Sequence, residues 1–132
     1  MATAKKILVV DDETGIRYLL SDVLSNNGFE VSIAKDGQDS LEQMEANSFD
    51  LVITDIQMPR LDGIEMLKRM KKSGRKEKVI IMTGNISDRR LKGKDIPRII
   101  TRLEKPFRMD NFLNTVTAAI SRRVPQGSSV MA

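Results

Sequence analysis

The sequence predicts an α/β domain: a five-stranded parallel sheet, order 2-1-3-4-5, with helices on both faces. Three observations predict it. Short continuous apolar runs begin near Ile7, Val31, Leu51, Val79 and Ile99, as expected of strands buried on both faces. Their starts are 24, 20, 28 and 20 residues apart, room for a strand and a crossover helix each time. The stretches between them carry apolar stripes at helical spacing.

The elements follow in order. Ile7-Leu8-Val9-Val10 forms strand 1 and runs into Asp11-Asp12. Ile16, Leu19, Leu20, Val23 and Leu24 give helix 1 its inner face, and Asn26-Asn27-Gly28 closes it. Strand 2 starts near Val31. Asp36-Gly37 opens helix 2, where Leu41 and Met44 make a weaker stripe. Leu51-Val52-Ile53-Thr54 runs into Asp55 as strand 3. Asp62-Gly63 opens helix 3, Ile64, Leu67 and Met70 face inward, and Ser73-Gly74 ends it. Val79-Ile80-Ile81-Met82 runs into Thr83 as strand 4. Gly93 and Pro97 interrupt residues 87–98, so the fourth helix is expected to be short or irregular. Strand 5 starts at Ile99 and leads to Lys105-Pro106. Met109, Phe112, Leu113, Val116 and Ile120 line the last helix as core residues. One domain over residues 1–123 is expected, with 124–132 a flexible tail or the start of a linker.

Composition narrows the chemistry. The 132 residues include no cysteine and no histidine. Thiolate metal sites, thiol nucleophiles, imidazole bases and His-ligated zinc are thereby excluded. Carboxylates, hydroxyls, lysine and a hard cation remain. No apolar run approaches a membrane span, so a soluble cytoplasmic protein with no membrane contact is expected. Residues 1–60 hold 5 Lys and Arg against 11 Asp and Glu, a net of −6; residues 61–132 hold 17 against 7, a net of +10. A basic half can signal nucleic acid. With only 4 Phe and 1 Tyr to stack on bases, solvated lysines and arginines are the simpler account, and no direct nucleic-acid binding is expected.

Ligands of open α/β sheets bind beyond the carboxyl ends of the strands. In the order 2-1-3-4-5, strands 1 and 3 are neighbours, and Asp11, Asp12 and Asp55 converge at the switch point between them. Close carboxylates repel by several kcal/mol at an effective dielectric of about 20, so they call for a cation. Mg2+ suits them, held by Asp12 and Asp55 with Asp11 assisting. Asp55 can attack a phosphoryl group to give an aspartyl phosphate. Lys105 would neutralise charge beside it, and a Lys-Pro bond can be cis and hold the lysine in a tight turn. Thr83 can donate to a phosphoryl oxygen once one is present, which makes it a reporter. Singly, each has a blander explanation: a helix cap for Asp11-Asp12, a turn residue for Asp55, a loop start for Thr83, a surface lysine for Lys105. Together they make the site.

The chain resembles the receiver domains of bacterial two-component response regulators, the CheY-like, flavodoxin-like (βα)5 fold. Asp11-Asp12, Asp55-Ile56-Gln57-Met58-Pro59, Asp62-Gly63, Thr83 and Lys105-Pro106-Phe107 carry the resemblance, which covers residues 5–122. It implies that Asp55 accepts phosphate from a histidine kinase or phosphotransfer protein and that Mg2+ binds Asp12, Asp55 and the backbone carbonyl of Gln57. It also implies a cis Lys105-Pro106 bond. The domain would be no enzyme toward outside substrates, catalysing only transfer to its own Asp55 and its hydrolysis. Output would pass to a separate protein or a fused domain, or through a homodimer on the face of helix 4, strand 5 and helix 5.

Two departures stand out. Arg102 occupies the position where the family usually has a switching aromatic, and Gly93 and Pro97 break the fourth helix. Gly84 stands where alanine is common, and Gln57 and Asn85 sit where the family tunes phosphate lifetime. The alternatives are a phosphate-independent binding module and an aspartyl-nucleophile phosphatase. The intact acidic pair, acceptor, Thr83 and Lys105 speak against the first. Against the second, Gln57 cannot serve as the general acid two residues past the nucleophile.

Overall fold

The computed structural model describes residues 4–121; the stretch expected as tail or linker, 124–132, lies outside them. The strands are β1 (Lys6–Val10), β2 (Glu30–Ala34), β3 (Leu51–Asp55), β4 (Lys78–Thr83) and β5 (Ile99–Glu104). The α-helices are α1 (Thr14–Ser25), α2 (Gly37–Ala46), α3 (Gly63–Lys72) and α4 (Met109–Ser121). All strand pairs are parallel, and the order is β2-β1-β3-β4-β5, as the sequence predicts.

Alternate residues of a strand point to opposite faces, so each strand feeds two cores. Leu8, Val10, Val52, Val79 and Ile81 pack with Met44 of α2 and with Met66, Leu67 and Met70 of α3. Ile7, Val9, Leu51, Ile53, Ile80 and Met82 pack with Leu20 and Leu24 of α1 and with Phe112 and Val116 of α4. This double burial is why β1, β3 and β4 read as unbroken apolar runs rather than alternating ones. Leu19 differs from its expected place: it is 44% exposed, because Leu20 and Leu24 already fill the contact between α1 and the sheet.

Asp36 and Asp62 cap the helices they open, accepting hydrogen bonds from the backbone N–H of Asp39 (2.8 Å) and Glu65 (2.9 Å). The fourth crossover holds no α-helix. It makes one 3-10 turn, Arg89–Lys92, then a further turn over residues 94–96 before β5. Gly93 and Pro97 supply the reason, since neither supports helix propagation. Buried Leu91 and Ile96 pin this connection to the core instead. An open groove of about 500 Å3 runs along α3 and is lined by Met58, Leu61, Ile64 and Arg90. No helix among the described residues is long and apolar enough to cross a membrane.

Candidate acidic site at the carboxyl edge of the sheet

Strand register brings the site together. Val10 pairs with Thr54, so Asp11 and Asp55 leave adjacent strands side by side. Asp55 pairs with Met82, which puts Thr83 one residue further along β4. Thr83 pairs with Glu104, and Lys105 follows. The backbone N–H of Lys105 donates to the Thr83 carbonyl at 2.8 Å, extending the ladder to the lysine. The Lys105-Pro106 bond is cis, as expected.

The lysine turns back over the sheet edge. Its Nζ donates to Asp11 Oδ2 at 2.8 Å and to Asp55 Oδ2 at 2.9 Å. Asp11's side chain is fully buried, Asp55's is 14% exposed and Lys105's is 23% exposed. Burial works against the ammonium charge of Lys105, but the hydrogen bonds to Asp11 and Asp55 and their negative charges outweigh it. Its pKa is held above the ordinary lysine value. The other carboxylate oxygens are also engaged. Asp11 Oδ1 accepts from the Glu13 N–H at 2.9 Å and Asp55 Oδ1 from the Ile56 N–H at 2.7 Å.

Asp12 is exposed beside them. One oxygen each from Asp11, Asp12 and Asp55 lies within 4.8 Å of the others. Three carboxylates against one ammonium leave two formal negative charges, matching one divalent cation, and all donors are hard oxygens of the kind Mg2+ takes. The residues therefore fit the ion expected from the sequence. Thr83 is buried at the same edge, and its Oγ1 accepts from the Asn85 N–H at 3.0 Å, a bond that leaves the hydroxyl proton unused. Gln57 sits exposed in the loop two residues past Asp55, and none of the hydrogen bonds above involves it. Gly63 closes this loop: its N–H donates to the Ile56 carbonyl at 2.7 Å, and a Cβ there would collide with the Asp55 carbonyl oxygen.

Three arginines at or near this edge have partners that sequence reasoning missed. Arg17 Nη1 donates to the Asp11 carbonyl at 2.8 Å. The signal was a base in the first turn of a helix, where acids are favoured. Arg60 clasps Asp36 with two hydrogen bonds, and the guanidinium holds that carboxyl below its ordinary pKa. Arg102 is half-buried and donates from Nη1 to the Ile86 carbonyl at 2.6 Å, tying β5 to the loop after Thr83.

This constellation is matched by a family model described as the response regulator receiver domain, over residues 7–117. The chain belongs to that family. This receiver domain is 35% identical to the transcriptional regulatory protein FixJ of Bradyrhizobium diazoefficiens, over 98% of this chain and 63% of that protein. It is 34% identical to the response regulator MprA of Mycolicibacterium vanbaalenii, over 91% of this chain and 52% of that one. The chain thus spans between half and two-thirds of these curated relatives.

Solved structures agree on the fold. The chemotaxis response regulator CheY4 of Vibrio cholerae superposes with a TM-score of 0.78 at 32% identity, covering 89% of this receiver domain and 99% of CheY4. The response regulator protein TrrA of Thermotoga maritima, solved in complex with Mg(2+)-BeF, gives 0.75 at 32% identity, covering 87% and 98%. The protein is a CheY-like receiver domain of two-component response regulators.

Proposed function

We propose that Asp55 is the phosphoacceptor of this receiver domain and that Asp11, Asp12, Asp55 and the Gln57 backbone carbonyl hold Mg2+. The observation that carries the proposal is the single lysine ammonium shared by Asp11 and Asp55 at 2.8 and 2.9 Å. It marks the point where negative charge is concentrated and only partly compensated. An oxygen of Asp55 attacks phosphorus, the P–N bond of a donor phosphohistidine breaks, and the imidazole leaves with the bonding electrons. Bound Mg2+ would supply neutralisation of phosphoryl charge. Lys105 keeps its place at the site and moves from pairing Asp55 to pairing a phosphoryl oxygen. The Thr83 proton becomes a donor to another. The transfer is self-catalysed and ends on Asp55, so no outside substrate is turned over.

The donor is a histidine kinase or phosphotransfer protein, and the setting is the cytoplasm. Output passes to a downstream protein or a fused domain, as the partial coverage of FixJ and MprA suggests. A homodimer would use β5, α4 and the turn at Arg89–Lys92, which stands where the fourth helix was expected.

Intact-mass measurement after incubation with Mg2+ and a small acyl-phosphate or phosphoramidate donor tests this. One phosphate adduct on the wild type and none on Asp55→Asn is the expected result. An adduct that persists in Asp55→Asn overturns the assignment.

A further inference from the structure

The loop between β3 and α3 carries Gln57, and it is held in an unfavourable shape. Arg60 has φ +66°, in the left-handed region that L side chains rarely adopt. Across it the Leu61 N–H donates to the Pro59 carbonyl at 2.8 Å. A hydrogen bond two residues back over a positive φ is the γ-turn form that is rare and strained. Strain of this kind persists only where the surroundings over-determine it, and it gathers at functional sites.

The surroundings here are the start of α2. Arg60 Nε donates to Asp36 Oδ2 at 2.6 Å, and Nη2 donates to Asp36 Oδ1 at 3.0 Å. This two-point fork fixes direction as well as distance. Asp36 is buried and also caps α2, so a whole helix sets its position. One residue on, the Gly37 N–H donates to the Leu61 carbonyl at 3.1 Å, and a Cβ on Gly37 would collide with that oxygen. The two loops touch closely because position 37 has no side chain.

We propose that Arg60 and Asp36 form a positioning clamp that presets the Gln57 backbone for the cation. This rests on the Mg2+ assignment above and deepens it. The clamp makes α2 part of the cation site's support, although α2 supplies no ligand. Arg60 touches neither cation nor phosphate. It acts through the loop dihedrals that aim the Gln57 carbonyl.

The test is Mg2+ titration of the unphosphorylated full chain, followed by calorimetry and by NMR amide shifts, with Mg2+ alone as the probe. Arg60→Gly adopts the positive φ without a side-chain penalty and removes the fork but also loosens the backbone, so the second variant leaves residue 60 unchanged. Asp36→Asn keeps an oxygen for the α2 cap and removes the charge. Each is expected to weaken Mg2+ by about tenfold, the usual lower cost of losing support behind a ligand. The double variant is expected to be no weaker than the weaker single one, because the pair acts as a unit. The phosphorylation rate of Arg60→Gly with a small acyl phosphate should return to the wild-type value at saturating Mg2+. A merely structural role would not give that recovery.

Unchanged Mg2+ affinity in both single variants, with Asp12→Asn weakened, overturns the clamp and leaves the cation site standing. Unchanged affinity in Asp12→Asn overturns the cation assignment and the clamp with it. A rate that stays low at saturating Mg2+ also overturns the clamp, placing Arg60 in another step.

Discussion

Lys105 Nζ lies 2.8 Å from Asp11 Oδ2, although 94 residues separate them in the chain. The pair joins the first strand to the last, across β3 and β4. Asp11 is the fully buried partner and Lys105 the one that still meets water.

Removing the lysine therefore leaves a buried carboxylate without its counter-charge. Lys105→Met is expected to lower stability by about 3 kcal/mol at pH 7 without Mg2+, the low end for one partner of a buried pair, since Lys105 is partly solvated. Urea unfolding measures it. Added Mg2+ should stabilise Lys105→Met more than the wild type, because the ion then replaces the missing charge. An equal gain in both proteins would separate Lys105 from the acidic cluster.

The same pair sets an alkaline limit. The folded pKa of Lys105 is raised above the ordinary 10.5. Its contribution is fully present below the unfolded pKa and is lost as pH rises through the folded value. At the acid end the sign reverses for Asp36, whose folded pKa lies below the ordinary 3.8, chiefly through the hydrogen bond from Arg60. Its contribution is present above the unfolded pKa and is lost as pH falls through the folded value. Urea midpoints against pH should show an alkaline decline that Lys105→Met lacks and an acid decline that is shallower in Asp36→Asn.

Thr83→Ala removes the acceptor of the Asn85 N–H and the proton proposed to meet the phosphoryl group. Phosphate uptake on Asp55 is expected to continue, since neither the carboxylates nor Lys105 change. The chemical-shift changes that phosphorylation causes in residues 84–88 should shrink or vanish. Normal shifts there would remove Thr83 from the relay.

Arg102→Ala breaks the bond to the Ile86 carbonyl. Stability should fall by about 1 kcal/mol, the ordinary net value of one hydrogen bond. Amide exchange in residues 85–88 should quicken while the rest of the sheet keeps its protection. Phosphorylation from a small donor should be unaffected. Exchange unchanged in that loop would mean that the tie does not hold it.

The strands and the convergence of Asp11, Asp55, Thr83 and Lys105 were legible because both rest on strong local signals. A strand buried on both faces must be apolar throughout, so the polar residue ending it stands out. The break in the fourth crossover was equally plain from Gly93 and Pro97. What sequence hid were interactions whose second partner is remote or is backbone. Arg60 and Asp36 look like two surface charges 24 positions apart, and nothing local says that their loops meet. Arg102 binds a carbonyl that every residue possesses. Leu19 fits the helical stripe by spacing, yet the stripe is broader than the contact that α1 makes with the sheet.

The place of β5 in the sheet has a bearing on how its backbone meets other chains. β5 ends the sheet, and no strand among the described residues lies beyond it. The outward N–H and C=O groups of such a strand are a template for another chain. In this protein Arg98, Arg102 and Glu104 lie at or beside Ile99–Glu104, charged side chains of the kind that blunt a sheet edge. The guanidinium of Arg102 thus also burdens that edge with a charge that edge-to-edge pairing would have to accommodate.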